Sequence, residues 1–94
     1  MIAHIVFLKL KDKTHAATII KEGLESLPAQ IPEIKKYEVG IDEVDSARSF
    51  DIALYSHFES YETLKIYNEH PAHQAVLTVI RAHAETVYAV DYTL

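Results

Sequence analysis

The sequence predicts an α+β fold in which the elements follow the order βαββαβ. Three observations support this. Four segments alternate apolar and polar residues and are rich in β-branched and aromatic side chains, as strands are. The segments between the first and second strands and before the last one carry apolar residues at helical spacing instead. Proline and polar clusters separate these segments.

The first strand is predicted over Ile2 to Lys11. Its two faces are both largely apolar, and they consist of Ile2, His4, Val6, Leu8 and Leu10 on one side and of Ala3, Ile5, Phe7 and Lys9 on the other. A helix should follow from Thr14 to about Gln30, capped by Thr14 or Asp12. Pro28 and Pro32 are expected to end it, because proline lacks the N–H group that a helix interior needs.

A second strand is predicted over Lys35 to Asp42, and a polar hairpin loop joins it to a third strand over Phe50 to Phe58. Gly40 in the second strand suggests either a bulge or the close approach of another chain. Ser60 should cap a short helix that ends near Glu69, and Pro71 should start a further helix. The last strand is expected over residues 85–93. This order is that of the ferredoxin-like unit, whose helices cover one face of a four-stranded antiparallel sheet.

The face of the sheet without helices should be polar if it faces water. Here it would carry apolar and aromatic side chains instead, namely Ile5, Phe7, Ala53 and Tyr55. A contiguous apolar patch of this kind usually marks an interface. We therefore expect a second copy to pack on it by two-fold symmetry, giving a dimeric α+β barrel. The alternative is that one strand is misassigned and the alternation is accidental.

Composition narrows the classes of function. The 94 residues are expected to form a single domain over 1–94. The net charge of −5 argues against a nucleic-acid partner, which requires a basic surface. No stretch has the length and hydropathy of a membrane span or of a signal peptide, so we expect no membrane partner and a cytoplasmic location. The chain has only two glycines and no cysteines, so we expect no nucleotide-binding loop and no cofactor.

Several short motifs resemble those of the stress-responsive A/B barrel (Dabb) family, in order and along the whole chain. They comprise His4–Leu10, Glu38–Gly40, Ser46, Arg48–Ser49, Asp51, Phe58–Ser60, Tyr67, His70–His73 and Asp91–Tyr92. The resemblance implies a ferredoxin-like protomer that dimerises through its sheet. It further implies that most relatives have no assigned reaction, that some plant members are linked to stress tolerance, and that one branch is the plant polyketide cyclase that forms olivetolic acid.

Resemblance to that branch implies a pocket between sheet and helices in which His73 and Tyr67 act as an acid/base pair near His4. The expected pocket residues are Val6, Leu24, Ile52, Leu54 and Leu77, of which Leu24 and Ile52 replace a tyrosine and a histidine of the cyclase. A histidine that titrates near neutral pH suits proton abstraction beside a carbonyl, and a tyrosine hydroxyl can orient it or donate to oxygen. Because Leu24 and Ile52 replace two polar residues of the cyclase pocket, the cyclase substrate is not expected here.

Structural roles are weighed beside the catalytic ones. His70 is expected to cap the helix that follows it, His4 can be a satisfied core residue, and Tyr67 can belong to the core. No metal site is expected, because His70 and His73 flank a proline and zinc usually needs three or four ligands. Three functions stay open: a dimeric binding protein with a pocket for a small apolar or aromatic ligand, a cyclase-type enzyme using His73 as its base, and a relative of cofactor-free monooxygenases, which rests on fold analogy alone.

Overall fold

A computed structural model describes residues 1–94 and contains four strands and three helices. In chain order they are β1 (Ile2–Leu10), α1 (Lys13–Glu25), β2 (Ile34–Ile41), β3 (Ile52–Phe58), α2 (Tyr61–Glu69), α3 (Pro71–His83) and β4 (Ala84–Thr93). The strands form one antiparallel sheet in the order β2-β3-β1-β4. The predicted ferredoxin-like βαββαβ fold is confirmed.

The sheet's pairing register decides which side chains share a face. Val6 of β1 lies opposite Leu54 of β3 and Ala89 of β4, while its neighbour Phe7 lies opposite Ala53 and Tyr88. Successive side chains of a strand point to opposite faces, so these two rows lie on opposite sides of the sheet. The helices cover the side that includes Val6 and Leu54. We call the other side the open face.

The core lies between the sheet and the helices. Its members include Leu8, Ile20, Leu27, Ile31 and Phe58, each at most 2% exposed. The open face, by contrast, holds much of the exposed apolar surface. Phe7, Tyr88, Val90 and Tyr92 are between 37% and 62% exposed there. No helix has the length and apolar character needed to span a bilayer.

The first helix is shorter than its apolar periodicity predicts. Asp12 caps it by accepting a hydrogen bond from the His15 N–H at 3.2 Å, as expected for one of the two proposed caps. It ends at Glu25 rather than near Gln30. The Leu24 carbonyl, which a helical residue 28 would bond, instead accepts from the Leu27 N–H at 3.0 Å, because Pro28 has no N–H to offer.

The third strand begins two residues later than predicted, and the two side chains before it therefore have different surroundings from those predicted. Alternation along the predicted strand from Phe50 to Phe58 would place Phe50 on the helix side with Ile52, but its ring lies 5.7 Å from that of Phe7 and 6.0 Å from that of Tyr88 on the open face. Asp51 is buried and its carboxylate accepts from the Leu10 N–H at 2.7 Å, beside an irregularity in the register of β1. Gly40 lies in regular pairing with Ala53, so the predicted bulge is absent.

Candidate functional site

A cavity of about 300 Å³ lies between the helix side of the sheet and the helices. It opens beside β4, where Val87 is 49% exposed. Most of the predicted pocket residues line it, namely His4, Val6, Leu24, Leu54, Tyr67, His73 and Leu77. The remaining lining residues are Leu8, Asn68, Gln74, Ile80, Val87 and Ala89. The walls are therefore mainly apolar, and they include two histidines that can carry a positive charge.

The junction between α2 and α3 places His73 in this wall. His70 has an extended backbone, which is favoured before a proline, so α2 ends there and Pro71 starts α3. The His70 side chain accepts from the Ala72 N–H at 3.0 Å, as the sequence analysis expected of a cap. One turn later His73 faces inward and is 7% exposed.

The hydrogen bonding of His73 defines which of its nitrogens carries the proton. Its Nδ1 lies 3.1 Å from the carbonyl oxygen of Asn68. A carbonyl only accepts, so Nδ1 carries the proton and donates it, and the lone pair of the neutral ring lies on Nε2. Burial lowers the pKa of His73, and the carbonyl of Asn68 offsets part of that effect. The neutral, basic form of His73 is thus favoured, and burial is the main cause.

Tyr67 supports His73 by ring contact rather than by a hydrogen bond. Their ring centroids are 4.2 Å apart, while the Tyr67 hydroxyl bonds the hydroxyl of Tyr37 at 2.7 Å. Tyr67 is fully buried, and burial raises its pKa to about 12. The hydroxyl therefore stays protonated and faces Tyr37. Burial also raises the pKa of Tyr37, a residue that the sequence analysis did not single out.

His4 is held from the other side by a residue that sequence reasoning missed as part of the site. Its Nδ1 is hydrogen-bonded to the carboxylate of Asp91, which lies directly opposite it across the β1–β4 pairing. Because a carboxylate accepts, this contact fixes the proton on Nδ1 of His4. The signal in the sequence was an acidic residue on an apolar strand, but only the strand register shows that it faces His4.

Neither histidine uses its Nε2 atom within the protein, since their hydrogen bonds involve Nδ1 only. No fully buried side-chain nitrogen or oxygen lacks a hydrogen-bond partner. Both Nε2 atoms therefore retain accessible surface, and both residues line the cavity. The arrangement offers two imidazole nitrogens to a molecule inside a mainly apolar space.

One predicted pocket residue lies elsewhere. Ile52 is the first residue of β3, opposite Leu8, and it is packed in the core at 2% exposure rather than at the cavity. A hollow of about 410 Å³ that it borders lies on the open face beside Phe7 and Phe50 and contains no histidine. No group of three or more histidine, aspartate or glutamate side chains is arranged to hold a metal ion.

Comparisons with known proteins bear on the whole fold. Residues 2–94 match the Stress responsive A/B Barrel Domain (Dabb) family. This chain belongs to the Dabb family. An uncharacterized protein of Streptomyces coelicolor is 34% identical to this Dabb chain over 96 residues, which cover 98% of each chain.

Solved structures of similar proteins show the same architecture. A dimeric protein of unknown function with a ferredoxin-like fold from Bacteroides fragilis superposes with a TM-score of 0.90 at 35% identity, over 99% of this Dabb chain and 95% of its own. A dimeric ferredoxin-like protein from Thermobifida fusca gives a TM-score of 0.88 at 29% identity, over 99% and 90%. Hydroxynitrile lyase from Passiflora edulis, at 22% identity, with a TM-score of 0.85 over 99% and 92%, shows likeness of fold alone.

We expect the His73 ring to titrate with a midpoint below 6.5, the ordinary histidine value, because burial disfavours its charged form. A group with a lowered pKa in the folded state contributes its full stability above pH 6.5 and loses it as the pH falls below that value. Ring-proton NMR measures the midpoint, and urea unfolding at several pH values measures the stability. In His73→Gln the decline on acidification should be smaller than in wild type. A midpoint at or above 6.5 would contradict the assignment.

Proposed function

We propose that this Dabb protein is a homodimer that binds a small, largely apolar molecule in the cavity beside His4 and His73. One observation carries the proposal: two imidazole Nε2 atoms without protein partners border a space whose other walls are mainly aliphatic. Ligand sites are typically apolar clefts with a few convergent polar groups, and about 300 Å³ lies at the small end of their volumes.

The energetics of the two histidines support a ligand. Burying a polar group without a partner is costly, so an apolar cavity that served packing alone would be better lined by aliphatic residues. Here each ring is held in a defined tautomer, by Asp91 in one case and by Asn68 in the other. Each bond satisfies one nitrogen of a buried ring, and it also determines which atom a bound molecule meets.

The homodimer is supported by the open face. Four large apolar side chains, Phe7, Tyr88, Val90 and Tyr92, are exposed on it in the protomer. The structural relatives from Bacteroides fragilis and Thermobifida fusca are described as dimeric. A second copy placed on this face would bury these four side chains and also the predicted interface residues Ile5, Ala53 and Tyr55.

A second candidate function, acid–base catalysis, is favoured by the bare Nε2 of His73. A neutral imidazole with an accessible lone pair can take a proton from the carbon beside a carbonyl group, and the pair of electrons left behind forms an enolate. His4 would then be the second polar contact of the substrate. The Tyr67 hydroxyl, expected to donate to the substrate, is turned to Tyr37, so we assign Tyr67 a supporting position beneath His73.

The enzymes among the structural neighbours do not select a reaction. One is a hydroxynitrile lyase and another an antibiotic biosynthesis monooxygenase, the latter with 16% identity and a TM-score of 0.81, over 100% of this chain and 98% of its own. The cyclase-type reaction rests on the positions of His73 and Tyr67 in the sequence. The monooxygenase-type reaction rests on fold likeness alone. Proton transfer at a carbonyl compound is the chemistry that the cavity's own atoms favour.

For the dimer, Phe7→Glu should give a monomer at micromolar concentration, because a charge would have to be buried between two sheets. Ile19→Glu provides the matched control, since Ile19 is similarly exposed, at 45%, but lies on α1. Analytical ultracentrifugation measures the mass, and circular dichroism checks that both variants fold. A monomeric wild type, or a Phe7→Glu variant that stays dimeric, would contradict the proposed interface.

For the ligand, 3-hydroxyacetophenone serves as a small aromatic probe. We expect its addition to shift the ring signals of His4 and His73 in NMR spectra. Ala89→Phe should abolish these shifts, because Ala89 lies at the cavity wall and a phenyl ring there would fill the space. Ala82→Phe is the control, since Ala82 is exposed on α3 and borders no cavity. Shifts that persist in Ala89→Phe would place the probe elsewhere.

For catalysis, acetophenone, which has no hydroxyl group to occupy Nε2 of His73, reports proton abstraction directly. In D2O the protein should accelerate the exchange of the methyl protons beside the carbonyl group of the ketone. The loss of the methyl NMR signal measures the rate of this exchange. His73→Gln should reduce the acceleration by about 100-fold or more, the usual contribution of a general base. His15→Gln, at an exposed position on α1, should leave it unchanged. Equal acceleration by wild type and His73→Gln would remove His73 as the base, while leaving the binding function intact.

A further inference from the structure

The charges around the cavity restrict what it can hold. No lysine or arginine lines it, and the two lining residues that can carry a positive charge are His4 and His73. His73 favours its neutral form because it is buried. No fixed positive charge therefore lines the cavity, since Arg81, whose charge acts on His73, is not among the lining residues.

Asp91 adds a negative charge next to His4. Their contact joins a carboxylate to an imidazole, so the pair carries either one negative charge or none, depending on the protonation of His4. In neither state does the pair present a net positive charge. A ligand carboxylate bound at His4 would thus lie one ring's width from a second carboxylate, that of the partly exposed Asp91, and like charges at this separation repel each other.

His73 defines the complementary group on the ligand. Its Nδ1 proton is used by the Asn68 carbonyl, so its Nε2 atom accepts a hydrogen bond and does not donate one while the ring is neutral. A hydroxyl group satisfies such an acceptor. A carboxylate does not, because it brings only further acceptors.

Resting on the ligand-binding function proposed above, we infer that the cavity selects uncharged, hydroxyl-bearing compounds of about one ring and rejects their carboxylate counterparts. The hydroxyl group of the ligand donates to Nε2 of His73. The apolar body lies against the aliphatic wall, which includes Val6, Leu54 and Leu77. Asp91, through His4, is the residue that excludes anions.

Two probes of nearly equal shape test this inference. At about pH 7, 3-hydroxyacetophenone is uncharged and 3-hydroxybenzoate carries one negative charge, while both keep the ring and its hydroxyl group. NMR titration of the His4 and His73 ring signals gives a Kd for each. In wild type the benzoate should bind at least about tenfold more weakly, as expected where a charge is desolvated near a like charge.

Asp91→Asn tests the assigned cause. It removes the negative charge with little change of shape. The ratio of the Kd of the benzoate to the Kd of the uncharged probe should therefore fall severalfold. Glu85→Gln is the matched control, since Glu85 lies on the same strand, six residues or about 20 Å away, and should leave the preference as in wild type. Amide NMR spectra check that both variants fold.

The outcomes separate the two proposals. Equal Kd values for the two probes, or tighter binding of the benzoate, would overturn the selection of uncharged ligands while the ligand-binding function stands. An unchanged preference in Asp91→Asn would overturn the role of Asp91. If neither probe shifts the His4 and His73 signals of the wild-type protein, the ligand-binding function fails, and the selectivity fails with it.

Discussion

The register of the central strand β1 is the constraint on which the rest of the molecule depends. β1 pairs with β3 on one side and with β4 on the other, and it carries apolar side chains on both faces. A slip by one residue would exchange the faces, moving His4 to the open side and Phe7 among the helices. Asp51 helps to fix the register, because its N–H bonds the Leu8 carbonyl at 2.8 Å and its carboxylate bonds the Leu10 N–H.

This register separates the two surfaces that the proposals concern. The same strand presents Phe7 to the open face and His4 to the cavity, with β4 contributing Tyr88 to the first and Asp91 to the second. The association surface and the ligand cavity therefore lie on opposite sides of one sheet. Because the side chains of each surface point away from the other, a substitution on one face changes one property without removing a contact of the other.

The sequence predicts the fold well because its strongest signal is local. Alternation along β1 and helical spacing along α1 and α3 each depend on the residues of one element, so a single segment of sequence contains the whole pattern. The errors occur where a longer-range requirement overrides that pattern. Phe50 continues the alternation of β3 but lies before the strand begins, since Asp51 turns inward to bond Leu10. Ile52 likewise follows the correct face of the sheet but lies beyond the end of the cavity.

The candidate site was predictable only in part, for a similar reason. His4 and His73 stand out in the sequence as polar residues within apolar patterns, and both line the cavity. Their partners do not stand out. Asp91 meets His4 through the strand register, Tyr37 meets Tyr67 across 30 positions, and the partner of His73 is a backbone carbonyl that any residue at position 68 would supply. A sequence therefore indicates which polar side chains are buried, but it indicates their hydrogen-bond partners less readily.

The unequal support of the two histidines gives the cavity its chemical character. A backbone carbonyl carries no charge, so the contact with Asn68 orients His73 without adding a negative charge to the cavity, and burial keeps the ring neutral. The carboxylate of Asp91 orients His4 equally well but places a negative charge behind it. If both histidines were held by carbonyls, the cavity would have no electrostatic preference among apolar guests. If both were held by carboxylates, the negative charge beside His73 would raise its pKa, and protonation would remove the Nε2 lone pair more readily. One contact of each kind allows an accessible base and an electrostatic barrier against anions to coexist in a space of about 300 Å³.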